Sequence, residues 1–105
     1  MENSVVLSGV VRQPKIHKTK TKENYLMFTL EVSADTGSFP VKCYMRLKRL
    51  EQLEKAERFV AVCSEQDVEV KIIGSLACAF VKNELYYSVK INKISLNNKK
   101  AERCS

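Results

Sequence analysis

One histidine, two prolines, three glycines and no tryptophan are what this 105-residue sequence has least of. With His17 alone, no nucleophile–base pairing is suggested, and neither a phosphate-cradling glycine loop nor a carboxylate cluster appears. The chain is therefore not expected to be an enzyme. No apolar run approaches the ~18 residues of a membrane span. The start, MENSVVLSG, lacks the basic and apolar regions of a signal peptide. Cys43, Cys63, Cys78 and Cys104 show no CxxC spacing, whereas cysteine zinc sites usually pair their ligands closely. We expect no metal, no cofactor, and four reduced thiols in a cytoplasmic protein. Cys43 and Cys78 lie in apolar strand-like stretches and are read as small buried hydrophobes.

What is present is ordinary globular composition with a basic bias. Hydrophobic residues make up 45% and charged residues 29%, which argues against disorder, and the length suits one domain with one core. Eighteen Lys and Arg against twelve Asp and Glu leave +6, which suits a polyanionic partner. The bias is concentrated. Arg12, Lys15, His17, Lys18, Lys20 and Lys22 fall close together without an acid between them. From Tyr25 to Ser33, Leu26, Phe28, Leu30 and Val32 then alternate with Tyr25, Met27, Thr29, Glu31 and Ser33, the period-two signature of a strand with one buried face.

Taken in order, Val5 to Val11 is a β-branched first strand, with Gly9 a candidate bulge or sharp coil and Pro14 its expected end. A basic loop leads to strand 2, Asn24 to Ala34, and Asp35 to Ser38 is a turn. Strand 3, Phe39 to Arg46, puts Val41, Cys43 and Met45 on one face and Lys42, Tyr44 and Arg46 on the other. Leu47, Leu50, Leu53, Ala56 and Phe59 predict an amphipathic helix from Leu47 to about Val62. Leu47, Leu50 and Leu53 are assigned to the core, and Glu51–Lys55 and Glu54–Arg58 are expected as side-chain pairs. Strand 4 runs from Val68 to Val81, with Gly74 in the role of Gly9. Lys82 to Glu84 is a hairpin tip, and strand 5, Leu85 to Leu96, carries an irregularity before Ile94. The register of strand 5 leaves open whether Tyr86 or Tyr87 faces outward, and whether Phe80 is buried. Residues 98–105 are a polar tail behind a domain of residues 1–97.

Five strands with a helix between the third and fourth predict a mainly β fold, the five-stranded OB-fold barrel. A generic α+β sheet is the alternative. VVLSGVVRQPKI followed by YLMFTLEVS resembles the first hairpin of bacterial single-stranded DNA-binding proteins. CYMRL is similar to the family strand bearing an exposed aromatic, and VEVKIIGSL to its fourth strand. Within that superfamily the length and the stretch between Tyr44 and Gly74 look most like primosomal replication protein N. The resemblance implies a homodimer or homo-oligomer that binds single-stranded DNA, with a replication helicase or another primosome component as a further partner. Three features depart from the pattern: LNNKKAERCS has no acidic tip, the basic loop has no Pro-Ser-Gly turn, and Tyr44 stands where the family usually has tryptophan.

Single strands are held by cations along the phosphates and by rings stacked on bases. Lys42, Tyr44 and Arg46 offer both on one strand face, and Tyr25 with Met27 should join them from the neighbouring strand. The basic loop (Arg12, Lys15, Lys18, Lys20, Lys22) and the second hairpin (Lys82, Tyr86, Lys90) are expected to flank them. His17 is read as part of the loop, and Met27 as packing. Neutralising four or five phosphates implies a slope of log affinity against log salt of about −3. A replication scaffold with little DNA affinity, or an RNA-binding barrel, remain open alternatives.

Overall fold

The computed structural model describes residues 3–96. Six elements follow in the order β1 (Val5–Lys18), β2 (Asn24–Ala34), β3 (Gly37–Leu47), α1 (Leu50–Glu65), β4 (Glu69–Val81) and β5 (Glu84–Leu96). The strands close a barrel in the order β1-β2-β3-β5-β4. Neighbours are antiparallel except at the seam, where β3 and β5 run parallel over Cys43↔Val89 and Tyr44↔Lys90.

The alternating residues of β2 fill the interior. Leu26, Phe28, Leu30 and Val32 are buried with Val11, Cys43, Val70, Ile72, Val89 and Ile91. Each buried Val, Leu, Ile or Phe among them contributes about 1.5–3 kcal/mol through its removal from water. Two glycines make the curvature possible. A Cβ on Gly9 would lie 2.3 Å from the Glu31 carbonyl oxygen, and one on Gly74 would lie 2.1 Å from that of Lys90. Backbone passes so close at both places that no other residue fits without displacement. Gly9 is thus a coil point; the bulge lies further along.

Several expectations change. Pro14 does not end β1. Arg12 pairs with Thr29 and Lys15 with Met27, so Gln13 and Pro14 together oppose Phe28 in a bulge. A bulge asks no ladder donor of Pro14, and Gln13 takes a φ of 52° there, so the strand runs on to Lys18. The basic segment is therefore half strand, and the turn is only Thr19 to Glu23. Thr19 ties that turn: its N–H donates to the Glu23 carbonyl at 2.8 Å and its Oγ1 accepts from the Glu23 N–H at 3.1 Å. The irregularity expected before Ile94 is present, because Ile73 pairs with Lys93 and Gly74 with Ile91, leaving Asn92 extra.

The helix begins three residues later than expected. Leu47 ends β3 and is buried, whereas Leu50 opens α1 and is 71% exposed, so it is not core. Gln52 starts the helix by accepting the N–H groups of Lys48 and Arg49 through its side-chain oxygen, at 2.8 and 3.1 Å. Glu51 reaches Arg49 at 3.9 Å instead of Lys55, and Glu54 makes no ion pair with Arg58. Ala56 and Cys63 are buried, and Phe59 meets Phe28 with ring centroids 5.7 Å apart. Beyond Gly74 and Ile91, β4 and β5 continue as a hairpin arm. From Ala77 onward they pair only with each other. Its length explains a further correction: Cys78 is exposed, because the arm leaves the barrel before reaching it. Phe80, left open by the sequence, is 70% exposed for the same reason. Cys104 and the tail lie outside the described residues.

Candidate nucleic-acid interface

Residues paired directly across a ladder point to the same side of the sheet, so the register shows which side chains share the outer face. The central row runs Lys15–Met27–Tyr44–Lys90–Ser75 across all five strands. To one side lies His17–Tyr25–Arg46, and to the other Arg12–Thr29–Lys42. Cations and rings thus interleave over neighbouring strands. Tyr25 and Tyr44 are half-buried and tilted at 54°, with centroids 6.2 Å apart. The bulge of β1 adds relief: Gln13, Pro14, Lys15, Met27, Thr29 and Lys42 border a depression of about 530 Å³.

The cations are not equivalent. Arg12 donates to Glu31 from Nε at 3.0 Å and reaches Asp67 at 2.8 Å, which ties β1, β2 and the α1–β4 connection together. These carboxylates, the Glu31 hydrogen bond first, hold the guanidinium above its usual pKa. Arg46 is paired with Glu23. By contrast, Lys15, Lys42 and Lys90 have no carboxylate partner among the described residues. Ion pairs therefore occupy Arg12 and Arg46 in the two flanking rows, while Lys15 and Lys90 in the central row and Lys42 beside it stay unpaired.

The sequence-predicted residues divide accordingly. Lys15, Tyr25, Lys42, Tyr44, Arg46 and Lys90 come together. Lys20 and Lys22 sit at the β1–β2 turn, with Lys22 at a φ of 67°. Lys18 pairs with Asn24, one step out of phase with His17, and so lies on the other side of the ladder. Lys82 is at the arm tip, where it and Asn83 take φ of 50° and 66°, the left-handed pair of a two-residue hairpin turn. Tyr86 falls on the same side as Ser88 and Lys90, and its hydroxyl donates to Glu84 at 3.1 Å. Tyr87 takes the opposite side. His17, read from the sequence as only part of the loop, stands instead in strand β1 beside Tyr25. Its signal was there, because Lys15 and His17 flank Ile16 in strand alternation.

No family model matches the chain, and no curated protein does. Solved structures do. The dimeric N-terminal domain of PriB protein from Thermoanaerobacter tencongensis superposes with a TM-score of 0.61 at 22% identity, covering 90% of this chain and 96% of that one. A single-stranded DNA-binding protein from Thermus aquaticus gives 0.65 at 18% identity, covering 91% of this chain but 41% of its own. Rim1, a mitochondrial single-stranded DNA-binding protein of S. cerevisiae, gives 0.63 at 12%, covering 89% and 92%. These likenesses establish the fold as the OB barrel with its helix between β3 and β4.

Proposed function

We propose that the chain binds single-stranded DNA across the outer face of β1, β2, β3 and β5, without sequence preference. The observation that carries this reading is the row Lys15–Met27–Tyr44–Lys90, in which unpaired lysines stand on both sides of an accessible ring. Tyr44 and Tyr25 would stack on successive bases, each stack worth ~1–3 kcal/mol, while Lys15, Lys42 and Lys90 follow the phosphates. Stacking accepts every base, so discrimination among sequences would be small. Lys20 and Lys22 at one turn, and Lys82 and Tyr86 on the arm, would extend the track. Arg12 and Arg46 have carboxylates already and would serve mainly to hold the face in shape.

The likeness to PriB and to two single-stranded DNA-binding proteins supports this reading over an RNA-binding barrel or a scaffold that ignores DNA. We carry a homodimer with it, since the PriB domain is dimeric. A replication helicase or other primosome component as partner, and a cytoplasmic setting, belong to the same proposal. No helix among the described residues is long and apolar enough to cross a membrane. The test is fluorescence anisotropy with labelled poly-dT and poly-U oligomers of increasing length, with mass measured in solution. Salt-sensitive binding to poly-dT that Tyr44→Ala weakens supports the proposal. Binding indifferent to Tyr44, or a marked preference for poly-U, overturns it.

A further inference from the structure

A second concavity lies at the end of the barrel beneath α1, away from the nucleic-acid face. It has a volume of about 550 Å³, and neither Tyr25, Tyr44, Lys42 nor Lys90 lines it. The helix is held to the barrel chiefly through β1, so a wedge stays open between α1 and the ends of the other strands. Leu26, Met45, Val68 and Ile94 form the barrel wall of this wedge, and Phe59 and Val62 form its helix wall. Leu96 and Val62 stand at the lining still exposed, at 59% and 46%. An apolar cavity of this size accommodates a few large side chains.

The charge of the lining says what those side chains would belong to. Its charged residues are Lys55 and Arg58, neither of which has a carboxylate partner among the described residues, and no acidic residue lines it. The amide oxygen of Gln52 is already engaged with the backbone at the helix start. We propose that the wedge is a docking site for an acidic partner segment, which inserts large apolar side chains against Phe59 and Met45 and pairs its carboxylates with Lys55 and Arg58. Complementary charge steers such an encounter, and the apolar anchors hold it. Residues 97–105, NNKKAERCS, would be a poor occupant: they are net positive and have no large apolar side chain. This site is independent of the DNA-binding proposal, and each can fail without the other.

The experiment titrates the full chain with a short fluorescein-labelled peptide of aspartates around two phenylalanines. Amide chemical shifts are followed with and without saturating poly-dT. The expected result is shifts centred on Lys55, Arg58, Phe59 and Val62, unchanged by the oligonucleotide. Lys55→Glu with Arg58→Glu should weaken the peptide about tenfold through the two reversed rim charges. Val62→Glu, a substitution at an exposed position, should weaken it too, while poly-dT affinity holds in both variants. The proposal is overturned by no binding, by equal binding of a serine-for-phenylalanine peptide, or by displacement with poly-dT. Shifts at the wedge that follow protein concentration and not peptide would assign it to a second copy, and would overturn the proposal as well.

Discussion

The division between paired and unpaired cations can be tested through counterion release. A lysine that neutralises a phosphate contributes about −0.7 to the single-strand slope of log affinity against log salt. Lys15, Lys42 and Lys90, unpaired on the face, thus predict about −2 for a short oligomer, steepening towards about −3.5 if Lys20 and Lys22 at the turn also engage. Arg12 behaves differently, because Glu31 and Asp67 already occupy its guanidinium. Removing Arg12 alone would expose both carboxylates and confuse the reading. The informative variant is Arg12→Gln with Glu31→Gln, which leaves the net charge unchanged. It should keep the parent slope within about 0.2, whereas Lys42→Gln should flatten the slope by about 0.7. Anisotropy titrations with dT oligomers at several salt concentrations, well below stoichiometric binding, measure both. The pair is surface-exposed and worth at most about 1 kcal/mol to stability, so the double variant should remain folded. If that variant flattens the slope as much as Lys42→Gln, the distinction drawn from the ion pairs is wrong.

Other perturbations have distinct signatures. Tyr44→Ala should cost about 1–3 kcal/mol of binding with no change in salt slope, by the same titration. Gly74→Ala forces a Cβ to within 2.1 Å of the Lys90 carbonyl oxygen and should lower the urea midpoint by the equivalent of about 2 kcal/mol or more at unchanged m-value. An aromatic disulfide reagent at pH 8 should form its mixed disulfide at exposed Cys78, expelling the aromatic thiolate, before it does so at buried Cys63, and at buried Cys43 only on unfolding. Burial pushes the Cys43 thiol up to about 12, so the folded state keeps a proton that the unfolded chain loses near pH 9. Stability should therefore be intact below about pH 9 and fall above it, by up to about 1.4 kcal/mol per pH unit. Cys43→Ala should make denaturation midpoints less sensitive to pH in that window.

Where strand alternation was unbroken, the sequence was sufficient. Lys42, Tyr44 and Arg46 share a face because Val41, Cys43 and Met45 share the other, and β2 aligns with them through an ungapped ladder. Misreadings arose where tertiary context changes what a residue needs. Pro14 stops a strand that requires its donor, but two residues facing Phe28 remove that requirement, and this hid the continuation carrying Lys15 and His17. Leu50 fits a helical repeat of leucines, yet Gln52 starts the helix from the backbone of Lys48 and Arg49, which turns Leu50 outward. Cys78 and Phe80 look buried in an apolar strand. Their exposure depends on where the barrel closes, and no local pattern encodes that distance. Ion pairing was equally invisible: Arg12 and Lys15 read alike in sequence, and only the fold brings Asp67 to Arg12.

Closure has a further consequence for the site. The seam between β3 and β5 consists of Cys43↔Val89 and Tyr44↔Lys90, whereas the β2–β3 ladder extends from Asn24↔Leu47 to Ala34↔Gly37. Tyr44 and Lys90 are therefore at once the middle of the proposed binding row and half of the shortest join in the barrel. A fluctuation that parts β3 from β5 separates the stacking ring from a lysine that would hold the adjacent phosphate. A strand bound across both favours the closed seam, and by linkage the energy it contributes there appears as local stability. Amide exchange separates this from simple docking on a rigid surface. On saturation with poly-dT, protection at Tyr44 and Val89 should rise more than at Leu30, which lies in the long β2–β3 ladder and whose opening the ligand does not bridge. Equal gains at all three positions would mean that the seam is as rigid as the rest of the barrel, and that binding does not depend on its closure.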